Sequence, residues 1–169
     1  MTIAFPEPTE PAGSRTEVFL RYLAFFRGTL TEKLRALPDG ELRASRLPSG
    51  WTPLELLKHL IFVERRWVEW RFEGVPVPDP WGDQKDGRWY VTPDETLEDL
   101  LGELGRRGAR SDAIIRAHGL DEAGAPGERW DGNPPATLER VLFHLLQEYA
   151  RHLGHLDIVA EIAGGPLGE

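Results

Sequence analysis

Residues 147–155 read QEYARHLGH, and His144 stands just upstream. Glu148 falls four residues after His144 and four before His152, with His155 three further on. Steps of three and four place side chains together on one helical face. Imidazoles and a carboxylate so spaced are donors for a divalent metal, or a pair for proton transfer. At about 100° per residue the four lie within about 80° of one another, sharing the arc of Val141, Leu145, Tyr149, Leu156 and Val159. Glu139, Arg140, Gln147, Asp157 and Glu161 fill the opposite side, where Phe143 and Ile158 are apolar exceptions. The polar cluster therefore sits in the stripe that a bundle helix turns inward. An ionised carboxylate there needs hydrogen bonds or a cation to offset its desolvation.

An answering group is present in a second segment, where His59 is embedded among Leu56, Leu60, Val63, Trp67 and Trp70. One imidazole from one helix and an i, i+4 pair from another is an arrangement that bundles use to hold a divalent metal. Spacing leaves the pair open. His144 to Glu148 and Glu148 to His152 each rise about 6 Å, whereas His144 and His152, about 12 Å apart in rise, do not easily share one ion. His118, beside Gly119 at the end of the third helix, reads as a hydrogen-bonded residue rather than a ligand.

Four helices must position these groups. Residues 1–14, with three prolines and little periodicity, read as an extended arm. Apolar residues from Val18 to Leu37 recur at helical spacing over 15–37, and PDGEL at 38–42 ends that helix. Thr52, Pro53 and Glu55 form an N-terminal capping signature, so a second helix is expected from about 53 to about 72, stopped by the prolines of EGVPVPDP. Thr92, Pro93 and Glu95 repeat the device and predict the start of a third helix, in which Gly102, Gly105 and Gly108 mark a place for a kink. The fourth is expected from Leu138 to Ala163. The only strand candidate is RWYV at 88–91. The fold class is therefore all-α, a four-helix bundle: an arm at 1–14, one domain at 15–164 and a short tail at 165–169.

Composition narrows the function. A chain of 169 residues supports one domain with a real core. Its net charge of −8 and lack of a basic run argue against nucleic acid as partner. No stretch reaches the roughly 18 apolar residues of a membrane span, and MTIAFPEPTEPAGS lacks the pattern of an export signal, so a cytoplasmic location is expected. There is no cysteine, which removes disulfides, thiolate zinc ligands and a cysteine nucleophile. Arginine outnumbers lysine seventeen to three, and Ala, Gly and Pro are plentiful, a composition typical of high-GC bacterial genomes.

SGWTPLELLKHLIFVERRWVEW at 49–70 and TLERVLFHLLQEYARHLGHLDIVAEIAGG at 137–165 resemble the DinB-like superfamily of bacterial four-helix proteins. The similarity covers nearly everything after the arm and is nearest to an actinobacterial branch. It implies a ligand histidine in the second helix and an HxxxH or ExxxH pair in the last, hence His59, Glu148 and His152 as metal ligands. His144 and His155 become flanking residues that support the ligands or face substrate. Glu148 stands where much of the superfamily has histidine, and the ExxxH form looks like the mycothiol-dependent maleylpyruvate isomerase branch. Zinc is the metal expected, and nickel or iron(II) also suit such a donor set. The resemblance further implies a homodimer and a thiol S-transferase or isomerase using mycothiol or bacillithiol, of which the arginine-rich composition favours mycothiol.

Such a centre makes a thiolate of an entering thiol, and with no cysteine in the chain the sulfur must arrive as a cosubstrate beside a small-molecule electrophile. A hydrolase, with water in the open position and Glu148 or His155 as catalytic proton carriers, is the alternative. A metal-binding or dimerisation module without catalysis is the third. Trp81, Trp89, Tyr90 and Trp130 on loops either cover a pocket or cap the bundle. Arg66 and Arg151 either pair with an anionic substrate group or are solvated charges.

Overall fold

The computed structural model describes residues 4–164; the expected tail at 165–169 and the first three residues of the arm lie outside the described residues. Helix α1 (Arg15–Ala36) starts where the Ser14 hydroxyl accepts the Glu17 amide. Phe5, from the segment before it, meets Tyr22 and Phe25 edge to face. One short turn, α2 (Asp39–Leu42), occupies the PDGEL break. Helix α3 (Pro53–Glu64) opens on a complete capping box: Glu55 N–H donates to the Thr52 hydroxyl and Thr52 N–H donates to the Glu55 carboxylate, at 3.3 and 2.8 Å.

The chain does not leave the helix at Glu64. It continues as a π-helix over Arg65–Glu73, in which each turn takes an extra residue, and stops at Gly74 in the left-handed conformation (φ 79°). An antiparallel hairpin follows, β1 (Gln84–Lys85) and β2 (Arg88–Trp89), turning through Asp86 and Gly87 at φ 53° and 74°. Helix α4 (Leu97–Ala117) and helix α5 (Leu138–Ile162) complete the bundle.

The third helix begins one turn later than the TPxE signature at 92–95 predicts. Glu95 does accept the Thr92 amide at 2.6 Å. Arg43, however, takes the carbonyls of Thr92, Pro93 and Glu95, the acceptors a helix starting there would need for its own amides. The helix starts instead from Thr96, capped reciprocally with Asp99. It then runs uninterrupted through Gly102, Gly105 and Gly108, with no break. Gly108 is needed for closeness: a Cβ there would lie 3.0 Å from the Arg27 side chain.

Helix α1 packs on α4 and α5, and α3 packs on the same two, so α1 stands diagonally across the bundle from α3, and α4 from α5. Leu23, Leu30 and Leu34 of α1, Leu56, Leu57 and Leu60 of α3, Ile114 and Ile115 of α4, and Leu142, Leu145 and Leu156 of α5 fill the interior. Among the described residues no helix is long and apolar enough to cross a membrane. A polar knot spans the apolar centre. Glu64 of α3, with no exposed surface, accepts from Arg27 of α1 at 2.5 and 3.2 Å and from the Tyr149 hydroxyl of α5 at 2.7 Å, while Arg27 also donates to Asp112 of α4 at 2.9 Å. Burial, and then the facing Glu64, push the Tyr149 phenol well above its ordinary range, which keeps it a neutral donor.

Breaking this knot at Glu64 leaves the Arg27 guanidinium with Asp112 alone and the buried Tyr149 hydroxyl without its acceptor. Glu64→Ala is expected to cost about 3–5 kcal/mol and Tyr149→Phe, which leaves the ion pair intact, about 2 kcal/mol. Urea unfolding of the two variants measures the difference, and equal losses would mean that the ion pair contributes no more than the phenol.

Candidate metal centre

The inward face of α5 brings His144, Glu148 and His152 opposite His59 of α3. Glu148 shares its carboxylate among three imidazoles: Oε1 lies 3.1 Å from His144 Nε2, and Oε2 lies 3.1 Å from His152 Nε2 and 3.9 Å from His59 Nε2. The imidazoles of His144, His152 and His59, in that order, hold the Glu148 carboxyl far below the usual carboxylate range. One donor atom from each of His59, Glu148 and His152 lies within 4.8 Å of the others. His144 meets the other oxygen of the acid, outside that trio. His155 stands beside it, its ring 5.5 Å from that of His152 and 6.2 Å from Trp51. His118 is remote and pairs with Glu122 at the end of α4.

His59 is aimed by a residue that the helical periodicity does not reveal. Asp83, from the loop before β1, has no exposed surface and lies 3.0 Å from His59 Nδ1. It also accepts from Arg66 at 2.6 and 3.2 Å, and Arg66 in turn donates to the Pro80 carbonyl. With Nδ1 facing Asp83, Nε2 is left to face Glu148. Burial opposes ionisation of Asp83, but hydrogen bonds with His59 and Arg66 outweigh it and lower its pKa. Burial likewise disfavours a charged His59, and Asp83 with Glu148 more than offsets this, raising its pKa. The one hint of Asp83 in the sequence is Arg66 itself, a cation on the inward side of the second helix that requires a carboxylate. Arg66, buried and paired, is therefore neither free for a substrate anion nor a solvated charge, contrary to both readings of it. Arg151 is exposed.

The loop aromatics divide between the roles expected of them. Trp89 stacks on His59 with ring centres 4.2 Å apart and meets His152 edge-on at 5.1 Å. Trp67, from the π-helical stretch, lies 4.3 Å from His144. Trp130 is buried against Trp67, whereas Trp81, largely exposed, covers the Arg66 guanidinium. The donors fit a divalent cation by their chemistry: two imidazoles and a carboxylate converge, and the far nitrogen of His59 is already engaged by an acid, the pattern common to metal-binding histidines. His152 Nδ1 is buried and has no partner among the described residues.

A family model described as mycothiol-S-transferase matches residues 18–165. Among solved structures, YfiT from Bacillus subtilis, described as a probable metal-dependent hydrolase with an unusual four-helix bundle topology, superposes with a TM-score of 0.63 at 17% identity, over 95% of this chain and 94% of that one. No curated protein matches the sequence.

The buried pair has a definite pH signature in metal-free protein. The lowered pKa of Asp83 contributes stability above its unfolded value of about 3.9 that is lost as the pH falls through the folded one, and the raised pKa of His59 contributes stability below about 6.5 that is lost as the pH rises through its folded value. The full contribution thus lies between about pH 4 and 6.5. Urea titrations across pH should show Asp83→Asn flattening both limbs; a profile parallel to the parent would remove Asp83 from the account.

Proposed function

The chain belongs to the mycothiol-S-transferase family, and from that premise we propose that it is a metal-dependent S-transferase in which His59, Glu148 and His152 hold a divalent cation and a low-molecular-weight thiol supplies the sulfur. The observation carrying this reading is the convergence of those three donors within 4.8 Å. Zinc suits the set best, with nickel and iron(II) as the competing ions. Mycothiol is the thiol in this reading, a choice supported by the family description and the arginine-rich composition. A chain without cysteine requires an outside sulfur in any case.

When bound, such a cation lowers the pKa of a thiol entering its open positions, so that the sulfur reacts as a thiolate at neutral pH. The protein's own groups do the remaining work. Asp83 fixes the face that His59 presents. The Trp89 ring, lying on His59, restricts water on that side. Burial, and then the neighbouring His152 and Arg151, push the His155 pKa down, leaving a neutral imidazole at pH 7 that can accept the thiol proton.

Purified protein is expected to carry about one equivalent of metal, and His59→Ala and His152→Ala to lose it, with loss of mycothiol conjugation. Asp83→Ala should weaken metal affinity by about 10- to 100-fold in a chelator competition. Retention of stoichiometric metal by both histidine variants would reject these ligands. Turnover of a substrate without thiol would replace transfer by hydrolysis, and an intact metal site with neither activity would leave a binding module.

A further inference from the structure

Beside the candidate metal centre lies a groove of about 510 Å³ lined by Trp51, Glu55, Lys85, Arg88, Trp89 and Tyr90. We propose that this groove is a second binding site, which receives the electrophilic partner as a flat apolar molecule carrying a carboxylate. The inference deepens the transfer reading and rests on it only for the ligand's role as acceptor.

Its volume falls within the range of small-molecule sites. Two tryptophans with ring centres 6.3 Å apart form its apolar walls, and both also touch the centre: Trp89 lies on His59, and Trp51 lies against His155. A flat molecule lying against these rings is thus held beside the candidate centre. The charges give its polarity. Arg27, Arg66 and Arg107 elsewhere in the protein are all engaged by carboxylates. Arg88 and Lys85, both exposed, have no carboxylate partner among the described residues, as is also true of Arg140 and Arg151 elsewhere; Lys85 lies over the Tyr90 ring at 5.1 Å. Arg88 is exposed and passes close over Gly50. Its guanidinium rests against the backbone at Gly50, whose φ of 83° and missing Cβ make the room, since a Cβ there would fall 2.3 Å from Nη2. Of the two acids at the groove, Glu55 is committed to the Thr52 amide and Asp86 occupies the tip of the hairpin turn. A planar guanidinium with free donors, a second cation and two aromatic walls select a carboxylate on a flat apolar body.

The test is a calorimetric titration of the metal-loaded full chain with 4-methylbenzoate and with neutral 4-methylbenzamide. The carboxylate should bind about tenfold more tightly, and Arg88→Gln should abolish that preference while leaving amide binding unchanged. Lys85→Gln should reduce the preference partly, and Arg140→Gln, outside the groove, not at all. Equal binding of the two probes, no binding of either at about 10 mM, or a preference untouched by Arg88→Gln overturns the proposal. A preference that vanishes on chelation but survives Arg88→Gln puts the carboxylate on the metal and overturns it too. A second arm uses mycothiol with 4-(bromomethyl)benzoate or its amide, in which sulfur bonds to the benzylic carbon, bromide leaves with the bonding pair and the thiol proton passes to solvent. The acid should be favoured about tenfold in kcat/KM, and Arg88→Gln should erase that advantage. If the probe binds as expected but neither bromide is consumed above the uncatalysed rate, the groove stands and the transfer reading falls.

Discussion

A carboxylate removed from water must find its counter-charges inside the protein, and at Asp83 that requirement ties a loop, two helical segments and the candidate centre together. Arg66 belongs to the π-helical stretch and His59 to α3, so the acid that satisfies both can occupy only one position. Fixing it fixes the loop, and the loop leads directly into the hairpin that lays Trp89 on His59. The orientation of His59 is thus a product of electrostatics some distance along the chain. A short hairpin on its own is marginal in water; here it is anchored by an ion pair at its entrance.

The bundle holds a second buried ionic group, the knot of Arg27, Glu64, Asp112 and Tyr149. Apolar residues of matching shape could fill such a space at little cost or even with a gain in stability. What the knot supplies is registration. Each of the four long helices contributes one member, and α1 and α3, which face each other only across the diagonal, are joined through it. Leucine against leucine tolerates sliding by a fraction of a turn, whereas a guanidinium between two carboxylates does not. The donors on α3 and α5 are therefore held at a set height relative to each other.

Much of this was legible from residue spacing. Apolar positions at three- and four-residue intervals located three of the four long helical segments to within a residue or two, and the arc on α5 that combined Glu148 and His152 with leucines is the buried one. Phe143 and Ile158, which broke the polar side of that helix, are indeed exposed, at 61% and 48%. Local pattern misled where a distant group intervened: TPxE at 92–95 is a genuine capping signature, but Arg43 competes for its carbonyls and Lys58 engages Glu95. Asp83 escaped notice for the same reason. Nothing adjacent in sequence marks it, because its partners lie 17 and 24 residues away. The choice between the two i, i+4 pairs was likewise beyond spacing, since it depends on where α3 sets His59.

The widened helical segment at Arg65–Glu73 carries a consequence for how this chain can vary in length. One residue removed there would allow ordinary α-helical closure, at the expense of swinging everything beyond the deletion by about 100°. Arg66 would turn relative to Asp83, or Glu69 relative to Arg107, depending on the side from which the residue was lost. Insertions and deletions should thus be refused inside this segment, where the count of residues is itself a structural parameter.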